Sequence, residues 1–145
     1  MAYWGGKKTA EAVADVLFGD YNPDGLLPFS YPKSMGGIVL YDRKPTEELR
    51  EVFNDNINTG YEPLFPFGHG LSYTTFEYSD IKLSSITLTA ATKLTVSITL
   101  KNTGSREGRH TVELYSHDMY ASITPNVKKL RAFQKINLKA VNQNW

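Results

Sequence analysis

The carboxylates are the first residues to consider for chemistry, because two carboxyl groups about 5 Å apart can act as nucleophile and general acid/base. The candidates close together in sequence are Asp15 with Asp20, Asp20 with Asp24, and the run of Glu47, Glu48 and Glu51. The Asp pairs flank a helix end and a turn, and the glutamates share a charged run. Capping or solvated carboxylates are the commoner explanation for each. Sequence spacing therefore assigns no catalytic pair.

The histidines give no metal or hydrolytic site. His110 and His117 are an odd number of positions apart, which places them on opposite faces if one strand continues through both. No Cys or carboxylate cluster completes a tetrahedral ligand set. Ser116, His117 and Asp118 have the residue types of a hydrolytic triad, but neighbours in sequence do not form its hydrogen-bonded chain. We predict no metal and no cofactor.

The composition argues against two classes of partner. Sixteen basic and fifteen acidic residues give a formal charge of +1, and the basic residues are scattered, so we expect no nucleic-acid and no membrane partner. The chain has no cysteine, which leaves the compartment open. No signal peptide and no transmembrane segment are predicted, because the sequence has no basic start before an apolar run and no apolar window of spanning length.

Residues 1–59 predict the end of an αβ unit with a polar insertion. Apolar residues at helical spacing predict a helix over Thr9–Phe18, with Thr9 as N-cap and Gly19 as C-cap. The short apolar run Leu26–Tyr31 predicts a buried strand, and residues 45–53 could form a short helix. One such unit cannot cover both faces of a sheet, so we interpret it as a remnant of a larger domain.

Residues 60–78 predict an extended connector. Two prolines, three glycines and six aromatic residues cannot form a regular helix. Their rings would be costly to expose to water. We therefore predict that five side chains are largely buried, namely those of Phe65, Phe67, Leu71, Tyr73 and Phe76.

Residues 79–145 predict an incomplete β-sandwich of immunoglobulin type. Alternating apolar residues predict a strand from Phe76 to Leu83 with an irregularity near Asp80, and others over 94–101, 110–116 and 129–138. We count four or five strands where a complete sandwich has about seven. Uncovered edges favour self-association, so we predict a homo-oligomer through exposed strands.

Several motifs together resemble the C-terminal region of glycoside hydrolase family 3, the β-glucosidase and β-xylosidase group. They are Ala14–Gly25, Leu27–Phe29, the connector 60–78, Lys101–Gly104 and Leu130–Lys135. The resemblance implies the end of the family's α/β sandwich domain followed by a truncated fibronectin-III-like domain. It also implies a fragment that is not catalytic, because no stretch matches either catalytic carboxylate motif of the family. We expect it to support domain packing and to contribute to the substrate cleft of a β-glycosidase.

Five residues are candidates for contact with an oligosaccharide or β-glycoside. They are Tyr3, Trp4, His69, Met119 and Tyr120. The aromatic rings of Tyr3 and Trp4 could stack on a sugar, whereas packing at the domain junction explains His69 more simply. Met119 and Tyr120 lie in a loop that the resemblance brings towards a substrate cleft. Two alternatives stay open: a stand-alone glycosidase or esterase with an unrecognised site, and a carbohydrate-binding module.

Overall fold

The computed structural model describes residues 5–33, 35, 40–44 and 63–140. The described chain contains helix α1 (Thr9–Phe18) and strands β1 (Phe76–Leu83), β2 (Val96–Asn102), β3 (Gly108–Ser116) and β4 (Lys129–Leu138). One two-stranded sheet pairs β1 with β2, and another pairs β3 with β4. The protein is mainly β, which confirms the predicted fold class. Over this part of the chain, no helix combines the length and apolar character that a membrane crossing requires.

The chain divides into two compact units, each built from segments distant in sequence. The first comprises Met1–Pro23, Ser72–His110 and Asn137–Trp145, and the second comprises Asp24–Leu71 and Thr111–Ile136. The linear division into 1–59, 60–78 and 79–145 stays a prediction.

Helix α1 has the predicted bounds and the predicted C-terminal end. Gly19 adopts the left-handed conformation with φ of 86°, and its amide donates to the carbonyl of Val16 at 3.2 Å, as is typical of a glycine C-cap. The predicted N-cap is wrong. Thr9 is already helical, and its hydroxyl donates to the carbonyl of Gly6 at 2.8 Å, so Lys8 occupies the N-cap position without a side-chain cap.

The predicted strand Leu26–Tyr31 is wrong. Within this segment only Tyr31 forms a β-bridge, which pairs it antiparallel with Phe65. The amide of Tyr31 donates to the carbonyl of Phe65 at 2.7 Å. Pro28 on one side and Pro66 on the other have no N–H group to extend a ladder. Isolated backbone hydrogen bonds therefore replace a strand. The predicted helix over 45–53 lies outside the described residues.

The sheet of β1 and β2 confirms the predicted irregularity. The antiparallel register runs from Phe76 opposite Asn102 to Ser79 opposite Thr99, and shifts before Lys82. Asp80 lies at the shift with φ of 54°, a left-handed conformation that Asp tolerates better than most residues. Strand β1 therefore has one more residue than β2 at this point, which is the definition of a β-bulge.

The four strands differ from the predicted ones only at their ends. Strand β4 has the predicted bounds, β2 starts two residues later than predicted, and β3 starts two residues earlier, at Gly108. Gly108 is buried, and a Cβ atom there would lie 2.7 Å from the Cγ2 atom of Thr74. The close approach of these two segments therefore depends on glycine.

The predicted burial of the connector is wrong for three of its five side chains. Leu71 is 76% exposed, Tyr73 is 47% exposed and Phe65 is 37% exposed, while Phe67 and Phe76 are half-buried. Side chains alternate between two faces along an extended segment. Here Thr74 is buried and Ser72 is half-buried, so hydroxyl groups rather than Leu71 and Tyr73 take the inner positions.

A buried amide at the end of β2 joins three other segments of the first unit. Asn102 is 2% exposed. Its Oδ1 atom accepts hydrogen bonds from the hydroxyl of Thr74 at 2.6 Å and from the amide of Gly104 at 3.0 Å. Its Nδ2 atom donates to the carbonyls of Arg106 at 2.7 Å and Leu138 at 3.2 Å. One side chain thus supplies hydrogen-bond partners to the connector, to the turn after β2 and to the end of β4.

We predict that Asn102→Ala lowers the free energy of unfolding by about 3 kcal/mol, because it leaves buried donors and acceptors without partners. Asn102→Asp should also destabilise the chain, since its second carboxylate oxygen would face two carbonyls. The control is Asn137→Ala, which removes one exposed hydrogen bond to Glu107 at 2.6 Å and should cost less than about 1 kcal/mol. Urea denaturation measures all three, and equal midpoints for Asn102→Ala and Asn137→Ala would contradict the prediction.

Candidate functional site

The structure places three of the five predicted contact residues. Tyr3 and Trp4 lie outside the described residues. His69, Met119 and Tyr120 all belong to the second unit. None of these assignments is tested by the geometry alone, so their contact with a sugar stays a prediction.

His69 packs against an aromatic neighbour within the second unit. Its ring stacks on that of Phe65 with centroids 4.8 Å apart and 28° between the planes. Its amide donates to the carbonyl of Pro66 at 3.0 Å, and its carbonyl accepts from the amide of Leu27 at 2.9 Å. The backbone of His69 thus forms a turn within the connector and also hydrogen-bonds to Leu27, in the segment that follows the helix.

Met119 and Tyr120 lie in the loop between β3 and β4 and point into solvent. Met119 is 73% exposed and Tyr120 is 94% exposed. Their neighbours Asp118 and Ala121 line a surface cleft, whereas Met119 and Tyr120 do not. The predicted residues therefore lie beside this cleft and not in its lining.

This cleft has a volume of about 270 Å³. We call it the β3–β4 cleft, because it lies where β3 ends and β4 begins. Its lining consists of Lys44, Ser116, Asp118, Ala121, Ile123, Thr124, Pro125, Asn126, Lys129 and Arg131. Basic side chains outnumber acidic ones by three to one in this lining, although the whole chain is nearly neutral.

Hydrogen bonds fix both sides of the β3–β4 cleft. The Nε atom of Arg131 donates to the hydroxyl of Ser116 at 2.6 Å. This hydrogen bond joins the start of β4 to the end of β3. Asn126 donates from its amide to a carboxylate oxygen of Asp42 at 3.3 Å. The Nδ1 atom of His117 lies 3.2 Å from the carbonyl of Asn126. The lining is therefore held in place from three segments.

A cluster of aromatic residues supports the same unit. Tyr41 stacks on Phe67 with ring centroids 4.3 Å apart, and meets Tyr115 edge-on at 6.4 Å. The Nζ atom of Lys128 lies 4.5 Å from the centroid of Tyr115, within the range of a cation–π contact. We call these four residues the Tyr115 cluster. It holds the connector against β3 and against the segment before β4.

The phenol of Tyr115 carries a strong hydrogen bond. Its hydroxyl donates to Glu113 Oε2 at 2.6 Å, two positions away on the same face of β3. Gly68 leaves room for this carboxylate, because a Cβ atom there would lie 2.9 Å from Glu113 Oε2, and Gly68 has φ of 79°. Burial raises the pKa of Tyr115 well above its usual range, and the hydrogen bond to Glu113 and the negative charge of that group raise it further.

Sequence reasoning missed Lys129 and Arg131. Both were placed correctly on β4, two positions apart and so on one face of the strand, but only the folded chain brings this face to Ser116 and the loop of 118–126. The alternation of two basic residues at the start of a strand was the available signal. No group of three or more His, Asp or Glu side chains suited to a metal occurs among the residues with described positions.

Comparison with known proteins decides the family. The model of the glycosyl hydrolase family 3 C-terminal domain matches residues 1–73. The chain belongs to glycosyl hydrolase family 3. This confirms the resemblance read from the motifs of the helix, the turn and the connector.

Relatives of this family 3 chain are much longer than it is. The periplasmic β-glucosidase of Salmonella typhimurium is 43% identical over 148 residues, which cover 94% of this chain and 19% of the relative. For the thermostable β-glucosidase B of Acetivibrio thermocellus the identity is 39%, again over 94% of this chain and 19% of the relative. The chain thus spans about a fifth of the length of these relatives, and corresponds to their C-terminal portion.

Solved structures give the same result for the fold. A β-glucosidase from Erythrobacter marinus superposes with a TM-score of 0.79 at 39% identity, covering 92% of this chain and 17% of that one. The β-glucosidase of Listeria innocua in complex with glucose gives 0.75 at 34% identity, covering 91% and 19%. The family 3 chain therefore has the fold of the corresponding part of both enzymes.

The raised pKa of Tyr115 predicts a loss of stability in alkali. Above pH 10, near the ordinary pKa of tyrosine, the unfolded chain releases the proton that folded Tyr115 retains. The unfolded state then binds fewer protons, so the free energy of unfolding falls as pH rises. Tyr115→Phe keeps the ring but has no phenol to ionise, so it removes this contribution to the pH dependence of stability. We expect the stability difference between the unvaried chain and Tyr115→Phe to shrink between about pH 9 and pH 11.

Urea denaturation at each pH measures this difference, and Tyr120→Phe is the control, because that ring is 94% exposed. The Tyr120→Phe variant should follow the unvaried chain at every pH. A constant difference for Tyr115→Phe across the range would contradict the prediction.

Proposed function

We propose that this chain is a non-catalytic C-terminal portion of a family 3 β-glycosidase, and that it packs against the rest of such an enzyme. The observation that carries the proposal is the exposure of helix α1. None of its residues is buried, and Leu17 and Phe18 are 73% and 85% exposed. In proteins an amphipathic helix is stabilised chiefly by packing of its apolar face.

The rest of a family 3 enzyme could supply the surface on which the apolar face of α1 packs. The matching segment makes up about 19% of each relative, so most of a family 3 enzyme lies outside it. Large apolar patches on a protein surface mark contacts with other parts. Packing of α1 against the remainder of the enzyme would bury Leu17 and Phe18. The linear domains 1–59, 60–78 and 79–145 belong to the same proposal.

The substrate of the whole enzyme is proposed to be a β-glycoside. This is supported by the relatives, which are named β-glucosidases and β-xylosidases. Within this chain, Tyr3, Trp4, His69, Met119 and Tyr120 remain the predicted contacts at the rim of a substrate cleft. The exposure of Tyr120 also favours a second candidate, a carbohydrate-binding module, because an exposed ring can stack on a sugar.

We predict no turnover of an aryl β-glucoside or an aryl ester by the purified 145-residue chain. The reason is that hydrolysis of a glycoside needs a positioned pair of carboxyl groups, and no stretch of this sequence matches either catalytic carboxylate motif of the family. Any turnover should be measured again in Asp20→Asn and Glu113→Gln. Activity unchanged in both variants and removed by a further purification step indicates a contaminant. Activity that persists through purification and is lost in either variant would make the chain a stand-alone hydrolase and overturn the proposal.

We further propose that the chain by itself forms a homo-oligomer through its exposed strands. In the described chain β1 pairs only with β2, so one edge of each strand offers unpaired backbone groups. Apolar side chains accompany this sheet: Ile81 is 68% exposed and Ile86, just after β1, is fully exposed. A second copy could pair with this edge and cover both side chains, and closed two-fold pairs are the commonest soluble assembly.

Light scattering across a dilution series tests this proposal. We predict a mass of two chains at micromolar concentration, and dissociation on dilution. Ile81→Lys should raise the dissociation constant about tenfold or more, since it places a charge in an apolar contact. Ser105→Lys is the control, because it adds the same charge at an exposed polar position in the turn after β2. A monomer at every concentration, or equal effects of both variants, would contradict association through β1.

A further inference from the structure

We propose that the β3–β4 cleft binds a singly charged oxyanion, either a carboxylate or a sulfate monoester. The anion can be free or carried by a saccharide, and the experiment below separates these sources. The proposal does not rest on the proposed function, because every residue it uses belongs to one unit of this chain. It follows from the charge, the fixed geometry and the size of the cleft.

The charge of the lining favours an anion. Three basic side chains, those of Lys44, Lys129 and Arg131, line the cleft together with one carboxylate, that of Asp118. The nearby carboxylate of Asp42 is bonded to the amide of Asn126. Clefts with one predominant sign of charge concentrate field lines and raise the local concentration of counter-ions. Two of these charges, on Lys129 and Arg131, lie two positions apart at the start of β4 and therefore on one face of the strand.

The guanidinium of Arg131 is already oriented for binding. Its Nε atom donates to the hydroxyl of Ser116 at 2.6 Å, so the planar group cannot rotate freely. A guanidinium has further N–H groups in a rigid fork that matches the two oxygens of a carboxylate. Ordering this side chain in advance lowers the entropy cost of binding.

Neutral donors complete the site. The hydroxyl of Ser116 accepts the bond from Arg131, so its own hydrogen atom is available for an oxyanion. Thr124 contributes a second hydroxyl to the lining. Hydrogen bonds from fixed donors to a charged oxygen are stronger than those between neutral groups. The cleft therefore offers both charge and directed donors.

Size and Asp118 restrict the ligand. At about 270 Å³ the cleft is slightly smaller than most pockets for small molecules, which start near 300 Å³. It has room for an oxyanion group together with an attached monosaccharide ring, since one water molecule takes only about 30 Å³ of liquid volume. The carboxylate of Asp118 repels negative charge, so a monoanion binds better than a phosphate dianion.

The test is calorimetric titration of the complete 145-residue chain at constant ionic strength. Sodium acetate, sodium glucuronate and glucose 6-sulfate are the charged probes, and methyl β-glucoside is the neutral one. We expect glucuronate and glucose 6-sulfate to bind, with affinity falling as sodium chloride is raised. Equal affinity for acetate and glucuronate assigns the site to a free oxyanion, and tighter binding of glucuronate assigns it to a charged saccharide. Equal binding of methyl β-glucoside, or no heat with any anion, overturns the proposal.

Charge variants locate the site. Arg131→Gln and Lys129→Gln should each weaken glucuronate binding about tenfold. The affinity of Arg131→Lys for glucuronate should lie between those of Arg131→Gln and the unvaried chain, because lysine keeps the charge but lacks the planar guanidinium fork. Asp118→Asn should tighten binding several-fold. Lys93→Gln, in the loop before β2, is the matched control and should change nothing.

Folding of each variant is checked by far-ultraviolet circular dichroism. If Arg131→Gln does not fold, Lys129→Gln and Asp118→Asn decide the matter, because both of these side chains are exposed. Opposite effects of these two variants on affinity support the site. Unchanged affinity in both, or weaker binding in Lys93→Gln, contradicts it.

Discussion

The buried amide of Asn102 is the contact on which the first unit depends. A carboxamide presents two donor hydrogens and an oxygen with two lone pairs, and at Asn102 all four capacities are used within 2.6–3.2 Å. No aliphatic side chain could satisfy these groups, and a carboxylate could satisfy only those that donate. Because a buried polar group without a partner is costly, the turn after β2 and the end of β4 are fixed together by the identity of one residue.

A second amide repeats this arrangement at the end of the helix. The side chain of Asn22 donates to the carbonyl of Glu107 at 3.0 Å and accepts from the hydroxyl of Ser72 at 3.0 Å and the amide of Tyr73 at 2.8 Å. Arg106 adds a hydrogen bond to the carbonyl of Gly19. Polar side chains thus hold this unit, and in the described chain no large side chain is completely buried. Apolar side chains such as Leu17 and Phe18 remain exposed, as the proposed packing against the rest of an enzyme requires.

The features predicted correctly from the sequence are those with a local cause. Helix α1, the bulge at Asp80 and the bounds of β4 follow from periodicity and from the conformations that single residues tolerate. The burial of the connector does not, because an extended segment has two faces and only its tertiary partner selects the inner one. The β3–β4 cleft also escaped prediction, since Lys129 and Arg131 approach Ser116 only when the strands pair.

Three consecutive residues connect this cleft to the Tyr115 cluster within the second unit. Asn126 contacts Asp42, Val127 donates its amide to the carbonyl of Arg43 at 2.8 Å, and Lys128 lies over the ring of Tyr115. A segment bonded at successive positions cannot shift at one end without straining the other. The aromatic cluster therefore holds the wall of the cleft in place, and the short hydrogen bond from Tyr115 to Glu113 contributes to the rigidity that directed binding of an anion needs.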